Sequence, residues 1–263
     1  QGAEYVATGH YIRREPKFPI SNPNKSGQFQ NNTAEISNCK LKIAKDTNKD
    51  QSYFLWTLTQ DQLKHILFPI GEYTKPEVRE LARKFGLPTA EKKDSQGICF
   101  IGEIDVKAFL KEHISTSPGR VLTTTGKIIG GHDGAALYTI GQREGLGIGG
   151  GIPYYVAAKN LDTNTVVVAQ GPYDQTLFSG QLTATNVHWI AGQTPELPLE
   201  CEARIRYRQQ LQRCFIEREA GARRREAASL KVKFSDAQRA ITPGQSIVFY
   251  RGEEMLGGGC ISA

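Results

Sequence analysis

Ten consecutive residues, 199–208, constrain the fold of this chain more than any other feature. Apolar side chains occupy every odd position, and Glu or Arg occupies every even position. Successive side chains of a β-strand point to opposite faces, so this pattern predicts a strand with one buried and one solvent-facing side. We therefore expect Arg204, Arg206 and Arg208 to share the solvent-facing side.

The rest of the C-terminal third has the same character. Leu230, Val232 and Phe234 alternate with two lysines, and short strands separated by turn signals are typical of a small barrel. We predict that residues 173–263 form a C-terminal β-barrel. Residues 204–233 also hold ten Lys or Arg against three Glu, in a chain whose net charge is only +6. Such a basic zone suits a polyanion.

Residues 1–104 alternate strand and helix signals, which indicates an α/β domain. A buried strand is predicted at residues 5–8 and a short one at 41–45. Two capping boxes predict helices. The helix after Thr59 is expected to extend through residues 66–67.

The second capping box, at Thr74, precedes apolar residues at helical spacing, and Gly86 ends that helix. Residues 105–172 then predict a small β-rich central domain, which begins with a short helix whose Phe109 points inward. The strands predicted for this domain are residues 120–123, 137–140, 154–157 and 166–169.

Composition excludes several functional classes. No apolar run approaches the roughly 20 residues of a membrane helix. The five cysteines are odd in number and widely spaced, and no Cys/His/Asp cluster has metal-ligand spacing, so a disulfide-built domain, a metal site and export are all disfavoured. A reducing cytoplasm fits best. The chain opens without Met and runs almost at once into a strand, as it would after an internal cut.

Four segments have residue types suited to ligand binding or catalysis, and each also has a purely structural interpretation. Gly9, at the end of the first strand, could admit a ligand to the backbone, or simply make a turn. Residues 48–55 combine cationic, amide and aromatic groups that suit RNA, or form a solvated turn. Cys99 follows two lysines that favour its thiolate, but a cysteine between Ile and Phe is more often a small core residue.

The fourth segment is the glycine run at residues 141–150. It satisfies Gly-x-Gly-x-x-Gly formally, yet a strand rather than a helix is predicted after it, so a dinucleotide site is rejected. A turn, or backbone amides that meet an RNA phosphate, is the better interpretation.

The order of these motifs along the chain, from residue 5 to the C-terminus, closely resembles that of the bacterial tRNA-specific 2-thiouridylases. The motifs are Ala-Thr-Gly-His-Tyr (7–11), Lys-Asp-Gln-Ser-Tyr-Phe-Leu (49–55), Phe-Pro-Ile-Gly (68–71), Lys-Asp-Ser-Gln-Gly-Ile-Cys-Phe-Ile-Gly (93–102), Thr-Ile-Gly-Gln-Arg-Glu-Gly-Leu-Gly-Ile-Gly-Gly (139–150), Arg-Tyr-Arg-Gln (206–209), Pro-Gly-Gln-Ser (243–246) and Leu-Gly-Gly-Gly (256–259).

The resemblance implies a multi-domain α/β plus β fold. Residues 1–104 would be the C-terminal part of a PP-loop (adenine-nucleotide α-hydrolase) catalytic domain, 105–172 a central tRNA-binding domain and 173–263 a tRNA-binding β-barrel. It also implies a cytoplasmic sulfurtransferase, most simply a monomer, that 2-thiolates the wobble uridine of tRNA. ATP adenylates the uridine oxygen, and a cysteine persulfide, loaded by a sulfur-donor protein, displaces AMP.

Site residues carried over by motif are Cys99 for the persulfide and Gly9 for ATP through its backbone. The tRNA contacts carried over in the same way are His10, Lys49, Asp50, Gln51, Arg206, Tyr207 and Gln245. Tyr207 falls on the opposite face from Arg206 in a regular strand, so we expect a bulge or a strand end there.

The family's pyrophosphate loop, catalytic Asp and the cysteine that resolves the persulfide as a disulfide are expected before residue 1. Cys39 is no credible substitute for that cysteine. We therefore expect the chain alone to be inactive, which leaves two alternatives: a noncatalytic tRNA-binding fragment, or a thiol-redox or sulfur-carrier protein that uses Cys99 without tRNA.

Overall fold

The computed structural model describes residues 2–16, 38–91, 106–114, 116–149, 151–219 and 229–262. The helices are α1 (Gln60–Leu63), α2 (Lys75–Lys84) and α3 (Val106–His113). The strands are β1 (Val6–Ala7), β2 (Arg13–Glu15), β3 (Lys40–Lys42), β4 (Ile66–Leu67), β5 (Gly119–Thr123), β6 (Ile128–His132), β7 (Tyr154–Asn160), β8 (Thr165–Gln170), β9 (Phe178–Trp189), β10 (Leu199–Arg204), β11 (Gln212–Arg218), β12 (Leu230–Arg239), β13 (Ser246–Arg251) and β14 (Glu254–Ser262).

The chain divides into two compact units. The first comprises Gln1–Glu91, Leu182–Asp236 and Pro243–Ala263, and the second comprises Lys92–Gln181 and Ala237–Thr242. None of the helices within the described ranges has the length and apolar character needed to cross a bilayer.

A closed barrel dominates the first unit and confirms the barrel predicted from the alternating pattern. Its strands follow the order β13-β10-β11-β12-β9-β14, and β13 pairs again with β14 to close the sheet. On β12, Leu230, Val232 and Phe234 are buried while the intervening Lys231 and Lys233 are not, as a period of two requires.

Two strands from the N-terminal part extend the barrel sheet. β3 pairs with β14 through Leu41 and Met255, and β2 pairs with β3. The hydrophobic core is correspondingly shared between the two sequence regions. Its buried members are Ile12, Cys39, Leu41, Ile43, Tyr53, Trp56, Leu63, Ile190, Val248, Tyr250 and Met255.

The predicted N-terminal helices and strands are partly confirmed. Thr59 and Thr74 both form capping boxes. Gly86 follows the last turn of α2 with a positive φ of 63°, as predicted for the glycine that ends this helix. The helix predicted through residues 66–67 is wrong, because α1 stops at Leu63 and β4 instead pairs in parallel with β1.

The first strand also departs from its prediction. β1 forms at the expected place, but Val6 is 61% exposed rather than buried. β1 pairs in parallel with β4, but pairing along a strand edge does not cover the faces on which side chains lie, and Val6 stays exposed. A run of small apolar residues therefore indicated the strand correctly but not its burial.

The second unit holds a four-stranded sheet in the order β6-β5-β8-β7, in which only the β5–β8 pair is parallel. The strand predicted at residues 137–140 is wrong. The segment contributes a 3-10 turn, Ala135–Leu137. The residues after it bond to β7: the Lys159 ammonium donates to the Tyr138 carbonyl at 2.9 Å, and the Gly141 amide donates to the Val156 carbonyl at 2.7 Å. Phe109 on α3, predicted to point inward, is 43% exposed.

Candidate nucleic-acid interface

Asp50 lies at the centre of a buried polar cluster in the first unit. One carboxylate oxygen accepts hydrogen bonds from the amides of Ala44 and Ser52 at 3.1 and 3.3 Å. The other accepts the Ser52 hydroxyl at 2.9 Å and the Arg204 guanidinium at 2.6 Å. Asp50 is only 2% exposed. Its carboxylate is thus occupied by the protein itself, so any part it takes in holding RNA is through the loop that it anchors.

Arg204 is the partner that the alternating pattern placed in solvent, and that prediction is wrong. The side chain is buried, paired with Asp50, and its guanidinium carbon lies 5.2 Å from the centre of the Tyr250 ring. β10 ends at Arg204 and the chain turns at residues 205–208, so the alternation of faces ends there too. The expected strand end next to Tyr207 is confirmed by the same turn.

Tyr53 ties two predicted contact segments together. Its hydroxyl is within hydrogen-bond distance of the Ile205 carbonyl at 3.2 Å and the Ser246 carbonyl at 2.8 Å. Arg206 and Gln245 are the neighbours of those two residues. Burial raises the pKa of Tyr53 to about 12, and the positive charge of Arg206 opposes part of that rise. The hydroxyl is therefore protonated, and able to donate, throughout the neutral range.

An aromatic surface lies on the outer side of this junction. The Phe54 and Tyr207 rings are 4.7 Å apart between centroids, and the Arg208 guanidinium carbon lies 5.2 Å from the Tyr207 ring centre. Phe54 is 54% exposed and Tyr207 is partly exposed. Aromatic rings flanked by arginine offer unpaired nucleobases a surface on which to stack. We call Phe54, Tyr207 and Arg208 the aromatic platform.

Gln51 connects the same loop to the end of β1. Its amide donates to the Tyr11 carbonyl at 2.8 Å, and its side-chain oxygen accepts from the Tyr11 amide at 2.9 Å. His10 immediately precedes Tyr11, and its Nδ1 is hydrogen-bonded to the Thr8 hydroxyl. Partial burial lowers the pKa of His10, so the imidazole is mostly neutral at neutral pH. Gln51 is therefore bonded to the residue that directly follows His10.

Gly9 is exposed at the carboxyl end of β1, and nothing lies within 4 Å of the position that a Cβ would occupy. Its backbone is accessible to a ligand, at the edge where parallel α/β sheets bind them. Lys49 is half-buried in the loop before Asp50, where its amide donates to the Asp46 carbonyl at 3.0 Å.

The remaining predicted sites are the Cys99 segment, the glycine run and the absence of a metal site. Cys99 and the two lysines that precede it, Lys92 and Lys93, lie outside the described residues. In the glycine run, β7 rather than a helix follows, which agrees with the rejection of a dinucleotide site. Gly145 and Gly147 have φ of 76° and 65°, and with Arg143 and Tyr154 they line a cavity of about 320 Å³. In the part of the chain that the structure describes, no cluster of three metal-ligating side chains occurs.

Comparison with known proteins matches three families in succession. Residues 1–103 match the tRNA methyl transferase HUP domain, 107–170 the tRNA methyl transferase PRC-barrel domain, and 179–261 the aminomethyltransferase β-barrel domain. A tRNA-specific 2-thiouridylase MnmA of Pasteurella multocida is 46% identical over 99% of this chain, and one of Nitrosococcus oceani is also 46% identical over 99%.

The chain belongs to the tRNA-specific 2-thiouridylase family. It spans 63% of the length of the Pasteurella multocida protein and 66% of the Nitrosococcus oceani protein. This family membership confirms the resemblance that the motifs carried, and the HUP and barrel matches confirm the multi-domain α/β plus β fold. The three domain boundaries stay predictions.

Reasoning from the sequence missed the Asp50–Arg204 ion pair. One signal for it was available: Asp50 precedes Ser52, Tyr53 and Phe54, and a carboxylate next to an apolar segment needs a cation or several donors if it is buried. The strict alternation of residues 199–208 instead predicted that Arg204 is exposed, because it placed Arg204 on the same face as Arg206 and Arg208.

Proposed function

We propose that this 2-thiouridylase family chain takes part in the ATP-dependent 2-thiolation of the wobble uridine in tRNA anticodons. In this proposal the first unit binds tRNA and Cys99 carries the transferred sulfur. The observation that carries the proposal is the identity of 46% to relatives named tRNA-specific 2-thiouridylase, extending over 99% of the chain.

The junction around Tyr53 supports the RNA-binding part. Arg206, Tyr207 and Gln245 come from two separate turns, and the Tyr53 hydroxyl lies between the carbonyls of their neighbours. Asp50 fixes the loop that presents Lys49, Gln51 and Phe54. A phosphate can be neutralised by Lys49 or Arg206, while Tyr207 and Phe54 can stack on an unpaired base. His10, attached through Tyr11 to Gln51, completes the proposed tRNA contacts.

The nucleotide part of the proposal rests on Gly9. Its exposed backbone at the end of β1 leaves room for ATP to approach, and the match of residues 1–103 to a HUP domain agrees with a nucleotide site there. ATP supplies the adenylyl group that makes the uridine O2 a good leaving group. The role of this chain in that step is to hold the nucleotide against the Gly9 backbone.

In the sulfur-transfer part of the proposal, Cys99 carries the transferred sulfur as a persulfide. The terminal sulfur of its persulfide forms a bond to C2 of the uridine as the C2–O bond breaks and AMP leaves with the oxygen. A second thiolate then attacks Cys99, so that the sulfur–sulfur bond breaks and a protein disulfide forms. A persulfide donor protein has to reload Cys99 after reduction. We propose a cytoplasmic location and a monomer for the enzyme.

Thiolation can be measured directly. Unmodified tRNA is incubated with ATP, a persulfide donor and the protein, prepared as this chain and within a protein of the relatives' full length. The RNA is then resolved on a mercury-containing gel, which retards thiolated tRNA. In the protein of the relatives' full length, we expect retardation that the Cys99→Ser variant abolishes and the matched control Cys260→Ser preserves.

Other results discriminate between functions. Retardation that persists in Cys99→Ser would show that another group carries the sulfur. tRNA binding without thiolation in either protein would favour a noncatalytic tRNA-binding role. Persulfide exchange at Cys99 that ignores added tRNA would favour a sulfur carrier.

A further inference from the structure

Two cysteines of the barrel, distinct from Cys99, face each other across neighbouring strands. Cys201 on β10 and Cys214 on β11 are directly opposite in the antiparallel register. Their sulfur atoms lie 3.6 Å apart, and both thiols are free. The proposed thiolation chemistry uses neither of them.

The backbone around this pair already suits a disulfide. Opposed residues of antiparallel strands have Cα atoms about 4.5 or 5.5 Å apart. Both values fall within the range of about 4.4–6.8 Å that disulfides span, and bonded sulfurs are about 2.05 Å apart. The two sulfurs therefore need to approach by only about 1.5 Å. Rotation of the side chains can supply that without moving either strand.

The two thiols differ in access to solvent. Cys201 is partly exposed, whereas Cys214 is only 5% exposed. The hydrogen bond with Cys201 and then burial raise the pKa of the Cys214 thiol. Cys201 is consequently the thiol that a dissolved reagent meets, and Cys214 is held within reach as its partner.

We propose that Cys201 and Cys214 form an oxidisable thiol pair, which a hydroperoxide converts into a disulfide between β10 and β11. The Cys201 thiolate attacks the peroxide oxygen, which gives a sulfenic acid and releases an alcohol, or water from hydrogen peroxide. The Cys214 sulfur then displaces water from the sulfenic acid. In sum, two thiols and one hydroperoxide give one disulfide, one alcohol and one water.

The position of this bond gives it a structural effect. β10 continues from Cys201 to Arg204, and the turn with Arg206 and Tyr207 follows before β11 begins. A disulfide at this place ties together the base of the hairpin that presents the turn and holds β10 and β11 in register. The disulfide itself does not depend on the proposed RNA function, whereas any effect on tRNA binding through the turn rests on it.

Peptide mapping tests the bond. The Cys99→Ser variant, which removes the proposed reactive cysteine, is treated with hydrogen peroxide, alkylated and digested with trypsin. Arginines at 204 and 213 lie between the two cysteines, so digestion separates them unless they are joined. We expect a linked peptide pair two hydrogens lighter than its parts. Cys201→Ser added to this background is expected to abolish the pair, and Cys260→Ser, at another partly exposed cysteine, to preserve it.

Thermal unfolding tests the structural effect. We expect the oxidised protein to unfold a few degrees higher than the reduced protein, because a cross-link restricts the unfolded chain. Cys201→Ser is expected to show no such shift. Sulfinic or sulfonic acid at Cys201 without the linked pair, or links formed chiefly by Cys39 or Cys260, would overturn the proposal. A linked protein that unfolds at a lower temperature would overturn the stabilising effect.

Discussion

The buried cluster around Asp50 and the aromatic platform come from the same two stretches of chain, yet they meet opposite environments. Asp50 and Arg204 are enclosed, with the carboxylate fully engaged. Phe54 and Arg208, each four residues further along, are exposed. The polar groups are thus inside and an aromatic ring is outside, the reverse of the usual distribution. The inner pair therefore stabilises the fold, whereas a ligand-binding role for the outer group is part of the proposed function.

The two regions should respond to mutation in opposite ways. Removal of one member of a buried ion pair strands the other charge away from water, which is costly for stability. Removal of an exposed ring leaves no buried polar group unpaired, so stability should change little while binding to a stacking partner falls. Each prediction below tests one side of this contrast.

The largest expected effect is from Asp50→Ala. Arg204 would stay buried without its carboxylate, so we expect the free energy of unfolding to fall by about 3–5 kcal/mol. Glu217→Ala is a matched control, because Glu217 pairs with Lys233 at the same 2.6 Å as the buried pair but at the surface. Its loss should be below about 1 kcal/mol. Denaturant unfolding of the three proteins measures both, and equal losses would contradict the contrast.

Mutation of the aromatic platform should affect tRNA binding more than stability. We expect Tyr207→Ala to weaken tRNA binding by about 1–3 kcal/mol, or roughly 5- to 150-fold in Kd, because a base loses its stacking partner. Tyr207 is partly buried against the hydrophobic core, so its loss should lower the unfolding midpoint, but by less than Asp50→Ala does. Tyr173→Ala is the control, since Tyr173 is a more exposed tyrosine, at 83%, in the second unit. Equal losses of tRNA affinity in both variants would remove the platform from the site.

The contrast also shows where sequence reasoning holds and where it fails. The barrel followed from the period of two, and the helix starts followed from capping boxes, because both signals are local. Arg204 could not be placed correctly, since its burial depends on Asp50, which is 154 residues away in sequence. Likewise, residues 66–67 form a strand that pairs with β1 instead of the predicted helix, and this contact joins segments that are distant in sequence. Tertiary partners decide such cases, and one sequence does not reveal them.

Arg206 provides a test of charge rather than stacking. If Arg206 neutralises one phosphate, Arg206→Ala should reduce the slope of log Kd against log salt concentration by about one. Arg251→Ala is the control, because Arg251 is exposed at the far end of β13 from Ser246. Filter binding at several salt concentrations gives the slopes. An unchanged slope for Arg206→Ala, with weaker binding, would instead indicate a contact that releases no counterion.

Tyr53→Phe tests the joint between the two regions. Loss of the hydroxyl removes its bonds to the Ile205 and Ser246 carbonyls, and we expect about 1 kcal/mol of lost stability at neutral pH. The pKa of Tyr53 is raised by burial to about 12, so its hydroxyl stays protonated in the folded protein while the unfolded chain ionises near pH 10. The original protein should therefore lose stability between pH 10 and 12, and Tyr53→Phe should lose less. Parallel pH series of unfolding would show equal slopes if the hydroxyl were free to ionise.

His10 should give the smallest effect, and its sign is fixed by the direction of its pKa. Burial lowers the pKa of His10 below the ordinary histidine value of 6.5, so near and below pH 6.5 the unfolded chain binds a proton more readily than the folded protein does. The stability contributed by the neutral imidazole is thus complete above pH 6.5 and is lost as pH falls through the lower folded pKa. We expect His10→Asn to show a weaker acid-side loss than the original protein between pH 7.5 and 5.5, because the other histidines titrate in both proteins and cancel in the difference. Thermal unfolding across that range measures the loss. A difference that grew with rising pH instead would mean that His10 is favoured in its charged form, as a histidine already poised against phosphate would be.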